Sequence, residues 1–448
     1  MSKFLAMAFI LLSQFANAQA FSSGGSASDG ILNAFENPAL LQLGKSKAWS
    51  ANVMYFEVSA GSNTASLSTA NLGRINADFF RRKILGESKV SSGLGLVEVL
   101  GPSLSINLTD KLAMGLSTRS RLHANYSEVN GRLISEIGEV VKQVKEYPHV
   151  IPKSEPMRTS IAVFNEIGLS AAYQVFKSNM HEISFGTTLN FINGIGHTSI
   201  DVSDFQGILN TTNIYSYLTN SKGEVATRSG GKLLDQIRLT NFFRFEKASL
   251  GADFGLSYSF RKTAIQAYKF RIGISITDIG SIRYKADSIY SKSYDINISS
   301  SERLYFNNNF KNSSFSETAR VFDTYPELFT PTKNNNDLYK VPLPTTLRIQ
   351  ADYIFSPNIS ISGNILTSLR KKGITGSLYN LATVNVIPRW DKADMTFFLP
   401  LTIQEYTGLA VGAGLRYKGL YITSKNLISL LFGTKQVDLR CGFLIRSK

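Results

Sequence analysis

Residues Ala248 to Phe260 alternate without a break. Ala248, Leu250, Ala252, Phe254, Leu256, Tyr258 and Phe260 form one face, and Ser249, Gly251, Asp253, Gly255, Ser257 and Ser259 form the other. Successive side chains of an extended chain point to opposite faces. The segment is therefore a strand with one apolar face and one small or polar face. Strands of soluble proteins usually run about 5–6 residues. This run exceeds the about 9–11 residues that a tilted strand needs to cross a bilayer. The pattern recurs from Ile183, Leu347, Leu409 and Val437, and from Tyr268, where Tyr268, Phe270, Ile272, Ile274 and Ile276 oppose Lys269, Arg271, Gly273, Ser275 and Thr277. Apolar residues toward lipid and polar residues toward a lumen account for all six. A soluble sheet with one wet face is the alternative, and the connections weigh against it.

Those connections alternate in length. Short ones fall at Thr109-Asp110-Lys111, Phe176 to His181, Arg261 to Ala267, Ser356-Pro357-Asn358, Trp390-Asp391-Lys392 and Lys418-Gly419. Long ones fall near 59–92, 125–160, 195–247 and 284–344, and intermediate ones near 370–380, 403–407 and 425–434. Bacterial outer-membrane barrels have short periplasmic turns and longer external loops. With a first strand near 46–58 running outward, every short connection lands on the periplasmic side. The count closes at about 14 strands with both chain ends on one side, including weaker strands near 93–108 and 419–425. The expected fold is all-β, a transmembrane antiparallel β-barrel. Trp49 and Trp390 would sit at its periplasmic interface. The long connections read as polar loops, with Asn307-Asn308-Asn309 and Asn334-Asn335-Asn336. A helix over Leu133, Ile137, Val140, Val141 and Val144, stopped by Pro148, would pack on the barrel mouth or dock a partner.

Composition agrees. Charged residues make up 18%, below the usual quarter of a soluble domain, and a mean hydropathy of −0.03 excludes a bundle of membrane helices. The apolar stretch Phe4–Leu12 follows Lys3 and precedes Ala16-Asn17-Ala18, the layout of a secretory signal peptide. Cleavage after Ala18 leaves Gln19 first, and Ala20 is a second candidate site. The domain reading is 1–18 signal peptide, 19–45 plug-like segment and 46–448 barrel. Cys441 is the one cysteine, so no disulfide framework holds the exported chain, whereas a closed barrel pairs every strand edge. The net charge of +15 suits anionic lipid or lipopolysaccharide. No Arg-rich run with interleaved aromatics points to nucleic acid.

Several segments resemble a known group. Asn37-Pro38-Ala39-Leu40 is similar to the Asn-Pro-Ala element of FadL-type outer-membrane barrels. Gly101-Pro102-Ser103 with Arg119 and Arg121, then Asp278-Ile279-Gly280, Leu399-Pro400-Leu401 and the stretch Gly412–Asn426, resemble an uncharacterised Bacteroidota outer-membrane family, a domain of unknown function, related to FadL and PorV. That resemblance implies a 14-stranded barrel with an N-terminal inward segment. It implies passage of hydrophobic or amphipathic small molecules, with Asn37, Pro38, Ala39 and Leu40 in the plug. PorV-like relatives imply a second reading, a non-transporting subunit of an envelope secretion or assembly complex. The ending Phe443-Leu444-Ile445-Arg446-Ser447-Lys448 departs from the terminal aromatic of proteobacterial barrels.

Gly24-Gly25 and Gly30 make the segment 19–45 pliable. The lumen positions carry both signs: Arg119, Arg121, Arg271, Arg348, Arg389, Arg416 and Arg440, with Asp253, Asp352 and Asp438. Such charges either pair as a structural network or attract an anionic headgroup. Of His123, His149, His181 and His197, the last has Ser199 and Asp201 nearby, the types of a catalytic triad with nothing to fix its geometry. No Gly-x-Ser-x-Gly element and no Cys/His cluster are present, so no enzyme, no metal and no cofactor are expected, while acidic loops leave calcium open.

Overall fold

The computed structural model describes residues 30–41, 48–69, 90–136, 148–212, 215–243, 248–262, 268–310, 315–334 and 337–447. The signal-peptide reading and Gly24-Gly25 lie outside them, as do most of the 59–92 connection and residues 137–147 of the expected helix.

Fourteen strands close a ring, each antiparallel to both neighbours. They are β1 (Trp49–Ser62), β2 (Val90–Leu100, resuming as Ser103–Asn107), β3 (Leu112–Asn130), β4 (Met157–Lys177) and β5 (His181–Thr211). Next come β6 (Ala248–Phe260), β7 (Phe270–Lys285), β8 (Thr346–Ser356), β9 (Ile359–Ser368) and β10 (Thr383–Lys392). The last four are β11 (Met395–Phe398, then Leu401–Gln404), β12 (Gly408–Val411, then Ala413–Tyr417), β13 (Leu420–Ser424) and β14 (Gln436–Arg446). β14 pairs with β1 from Ser50↔Arg446 to Gly61↔Gln436, which leaves the sheet without a free edge. Gly101-Pro102 and Leu399-Pro400 interrupt β2 and β11, as expected where proline removes a ladder donor.

Alternation places the side chains. Leu250, Phe254, Leu256, Ile272, Ile274, Phe185 and Leu189 point outward and are exposed, while Asp253, Ser257, Arg271, Ser275 and Thr188 are buried inside. An exposed apolar belt around a polar interior is the inverse of a soluble protein and is what lipid requires. Tyr268 departs from the expected outward face. It is buried inside, with its ring under the Arg271 guanidinium, because β7 begins only at Phe270 and the preceding residue belongs to a turn. Trp49 and Trp390 are exposed at the short-turn end, and Trp390 stacks on Phe397.

The long connections depart from the loop reading. Beyond Asn193, β5 leaves β6 and pairs from Gly196 onward with a strand at Ser216–Gly231. That strand pairs with Lys292–Ile298, which pairs with Phe329–Asn334. Phe205, Leu209, Leu218, Val225, Tyr294, Ile296, Phe322 and Phe329 fill one core beneath this cap sheet. Asn307-Asn308-Asn309 lies in a short helix, Phe306–Asn309, of the same cap. Leu133, on the described helix Gly131–Glu136, packs into that core.

Candidate functional site

The lumen is closed from both ends by chain that turns inward. At the short-turn end, residues 30–41 lie inside the ring. Ile31, Leu32, Ala34 and Leu41 are buried against Tyr55, Leu100, Ala113, Ala172, Ile387, Phe398, Tyr421 and Leu444 of the wall. Asn37 caps a single turn at Pro38–Leu40: its Oδ1 accepts from the Ala39 N–H at 3.0 Å. Its Nδ2 donates to the Leu256 carbonyl at 3.2 Å and the Ile274 carbonyl at 3.4 Å. The wall makes room with inward glycines. A Cβ on Gly186 would stand 2.3 Å from Ala39 N, and one on Gly255 would stand 2.0 Å from Asn37 Oδ1. Gly186 and Gly255 face each other across β5 and β6, so they form one smooth patch where only glycine admits so close a backbone. The Ser275 hydroxyl donates to the Glu36 carbonyl at 2.5 Å, Gln350 Nε2 donates to Glu36 Oε2 at 2.7 Å, and the Ile31 N–H donates to Ser50 Oγ.

At the opposite end, the connection 369–382 between β9 and β10 also folds in. Leu378 is fully buried among Phe164, Ile192, Ile282, Tyr284 and Val341. The Tyr379 N–H donates to Asn125 Oδ1, and Asn125 Nδ2 donates back to the Tyr379 carbonyl at 2.9 Å. Asn380 meets His123 Nε2 at 3.2 Å and donates to Thr346 Oγ1. In the sequence this stretch reads as one more external loop. The signal available was Leu378-Tyr379-Asn380-Leu381, an apolar pair around an amide too fatty for an exposed turn.

Between the two closures lies a cavity of about 150 Å³. Phe35 and Glu36 form part of its floor, Asn380 and Leu381 part of its roof, and Leu94, Leu96 and Leu366 part of its apolar wall. The inward charges form separate groups. Arg121 grips Asp278 with two bonds, at 2.9 and 2.6 Å, and reaches Glu166 at 2.7 Å. Arg119 donates to Glu166 at 2.6 Å and Asp278 at 3.1 Å, with Glu98 at 3.8 Å. The Asp278 N–H in turn donates to Asp253, whose other oxygen accepts from Asn190. Arg440 binds Asp438 at 3.0 Å and Glu57 at 2.8 Å. Arg271 pairs with Asp352 at 3.0 Å. Arg389 and Arg416 instead donate to the Ser360 and Thr396 hydroxyls. Arg348 stands on the cavity wall with its Nε buried and no acceptor.

Glu57, Glu98, Glu166 and Asp278 were missing from the sequence reading of the lumen. Asp278 sits at a bulge in β7, with φ 58°, where the register against β6 shifts between Ile276 and Ile279. Thr277 and Asp278 are both buried in consequence, and this break in period 2 was the visible clue. The set His197, Ser199 and Asp201 does not assemble. His197 bonds Tyr339 through Nδ1 and Ser160 through Nε2, while the Ser199 hydroxyl and the Asp201 carboxylate reach neither.

A model described as a family of unknown function, DUF5723, matches residues 38–425. No curated protein matches. Among solved structures, a TodX deltaS2S3 mutant, titled a monoaromatic hydrocarbon channel, is similar at 10% identity and TM-score 0.46, over 96% of this chain and 97% of that one. The P. putida toluene transporter TodX is similar at 10% and 0.43, over 92% and 93%. A Pseudomonas aeruginosa FadL homologue is similar at 12% and 0.40, over 96% and 97%. Identities this low transfer no ligand to the present chain.

Proposed function

The chain belongs to the family of unknown function DUF5723, and from its closed lumen we propose that it is an outer-membrane channel for small amphipathic molecules, plugged at rest by residues 30–41. The observation that carries this reading is the cavity of about 150 Å³ held inside a lipid-facing barrel between two inward segments. A cavity of that size takes a benzene-sized body. Its lining is mixed: leucines stand with Arg119, Arg121, Arg348, Lys425 and Arg440 and with Glu36, Glu57, Glu98 and Asp278. A purely apolar guest would strand those charges in a dry site. A molecule with both apolar and charged groups suits such a lining. Residues 1–18, acting as a signal peptide removed on export, would direct the chain to the periplasm, with the short turns remaining on that side.

Proteoliposomes test this. Benzenesulfonate stays charged and does not leak across lipid as a neutral acid. Counterflow of labelled benzenesulfonate above that of empty liposomes is the expected result, rising when Asn37→Ala loosens the plug. Flux equal to empty liposomes for both forms would refute transport.

The cap sheet favours a second reading, a partner barrel of an envelope complex. Its strand Phe329–Asn334 pairs with Lys292–Ile298 and presents Thr330, Pro331, Thr332, Lys333 and Asn334 to solvent. An exposed folded surface of this kind is not needed for passive diffusion.

A further inference from the structure

β13 stops short. Its five residues, Leu420–Ser424, are about half of the about 9–11 that a tilted strand needs to cross a bilayer. Its neighbours run on without it. β12 pairs with β13 over Ala413–Tyr417, but its outer part Gly408–Val411 pairs, among the described residues, with β11 alone. β14 pairs with β13 over Arg440–Phe443, but Gln436–Leu439 pairs with β1 alone. The ladder therefore has a notch in its outer half. Residues 425–434 fill it, with one helical turn at Ser429–Phe432.

The filling meets the ladder groups on both edges. The Val411 N–H donates to Ser429 Oγ at 2.7 Å, and the Val411 carbonyl accepts from the Ile428 N–H at 3.1 Å. On the other edge, the Asp438 N–H donates to Asn426 Oδ1 at 3.1 Å, and Asn426 Nδ2 donates to the Gln436 carbonyl. The Lys425 N–H donates to the Asp438 carboxylate at 2.9 Å. Backbone outside a strand is tolerated at membrane depth only when its polar groups are met by protein in this way.

Register sets the depth. Val411 stands opposite Leu401, and Leu401 opposite Val386. Further out, Leu409 stands opposite Ile403, and Ile403 opposite Val384. Val384, Val386, Leu401, Ile403 and Leu409 are all exposed, so the apolar belt continues outward past the level of Val411. The turn bonded to Val411 lies beside that belt. Its Leu430 is buried, whereas Leu427, Leu431 and Phe432 are exposed. Phe432, at 85%, is the most exposed large apolar side chain among the described residues.

We propose that residues 425–434 are part of the membrane wall, and that Leu427, Leu431 and Phe432 rest among the acyl chains of outer-leaflet lipid. Continuity decides the occupant. A protein seated on this turn would also have to displace lipid from Leu409 and Ile403 on the adjoining strands. The proposal stands apart from transport: it concerns what touches the outside of the barrel.

The full-length protein carries Trp49→Phe and Trp390→Phe, which silence its two tryptophans, together with Phe432→Trp, and is folded into phosphatidylcholine vesicles. Bromine on the upper acyl chains quenches an indole that touches them, and iodide in the buffer quenches one that meets water. Leu409→Trp on the belt and Tyr215→Trp on the cap are the references. Each variant must keep the heat-modifiable gel mobility of a closed barrel, and Leu431→Trp replaces Phe432→Trp if the latter does not. Brominated lipid is expected to lower the Phe432→Trp emission at least twofold, close to its effect on Leu409→Trp, with iodide at least threefold less effective than on Tyr215→Trp. Brominated-lipid quenching below half that of Leu409→Trp overturns the proposal. Strong iodide quenching would then make the turn an external loop. Weak iodide quenching would make it a surface covered by protein, a second copy if Phe432→Cys in a Cys441→Ser background cross-links into dimers.

Discussion

Replacing Asn37 with alanine removes the side chain that ties the inward segment both to itself and to the wall. The lost cap on the Pro38–Leu40 turn is worth about 1 kcal/mol. The two donations to the Leu256 and Ile274 carbonyls, at 3.2 and 3.4 Å, are long and contribute about 0.5–1 kcal/mol each. The docked state therefore weakens by about 2–3 kcal/mol, which multiplies the undocked fraction by about 30- to 150-fold. Ala34 reports on that fraction, because it belongs to the same segment and is buried against the wall. In a Cys441→Ser background, Ala34→Cys is labelled with a maleimide and the rate is compared with and without Asn37→Ala. With opening and closing fast against labelling, the rate follows the undocked population. A rise of about 30-fold or more is expected, with the barrel's heat-modifiable mobility unchanged. A rise below threefold would show that the Asn37 contacts do not hold the segment, and the reasoning from its hydrogen bonds would fail.

Gly186→Val should raise the same labelling rate at least as much, since any Cβ there meets the Pro38–Ala39 backbone at 2.3 Å. Arg121→Gln leaves buried Asp278 and Glu166 sharing Arg119 alone, so stability to urea should fall, by less than the about 3–5 kcal/mol of a fully unpaired buried charge, and adding Asp278→Asn should partly restore it. Phe322→Ala opens the cap core where Phe322 stacks on Phe329 at 4.5 Å; amide exchange in Lys292–Ile298 should accelerate by an amount equivalent to about 3–5 kcal/mol while β6 and β7 stay protected. Burial pushes the Asp201 carboxyl in the cap up to about 6, against the pull of Arg158 and Arg228. The folded cap then holds that proton more tightly than the open chain does, so its stability is greatest below about pH 4 and declines by up to about 3 kcal/mol as pH rises through 6. Exchange of amides near Asp201, corrected for intrinsic rates, should show that slope, and Asp201→Asn should flatten it.

The barrel was legible because its physics is local. Each crossing of a bilayer needs a long period-2 run, and Ala248–Phe260 shows one without interruption. Turn lengths then fixed the parity, even for β13, whose five residues carry little pattern of their own. The cap was not legible for the opposite reason. Phe205, Leu209, Leu218 and Val225 come from strands rich in Ser, Thr and Asn, and their burial depends on Tyr294, Phe322 and Phe329, which stand about a hundred residues away in the chain. Long-range partners of that kind leave no periodic trace. The lumen was half legible. Alternation puts Asp352 and Asp438 on the inward face with Arg271 and Arg440, their partners, but it gives no sign of the acids that gather around Arg119 and Arg121. Glu166 pairs across strands, and Asp278 reaches Arg119 and Arg121 only because a bulge turns it inward. Asn37 stood out through its neighbours Pro38 and Ala39, whereas the glycines that receive it are unremarkable until the segment is seen against them.

The central claim is a channel that stands alone and carries a small amphipathic guest. Tagged protein extracted from native membranes in mild detergent tests it most directly, with mass spectrometry of the co-purifying proteins and of bound small molecules in one sample. The account predicts a solitary barrel with one enriched small amphipathic molecule. A stoichiometric envelope complex with no enriched small molecule would contradict it and leave the cap sheet as the functional surface.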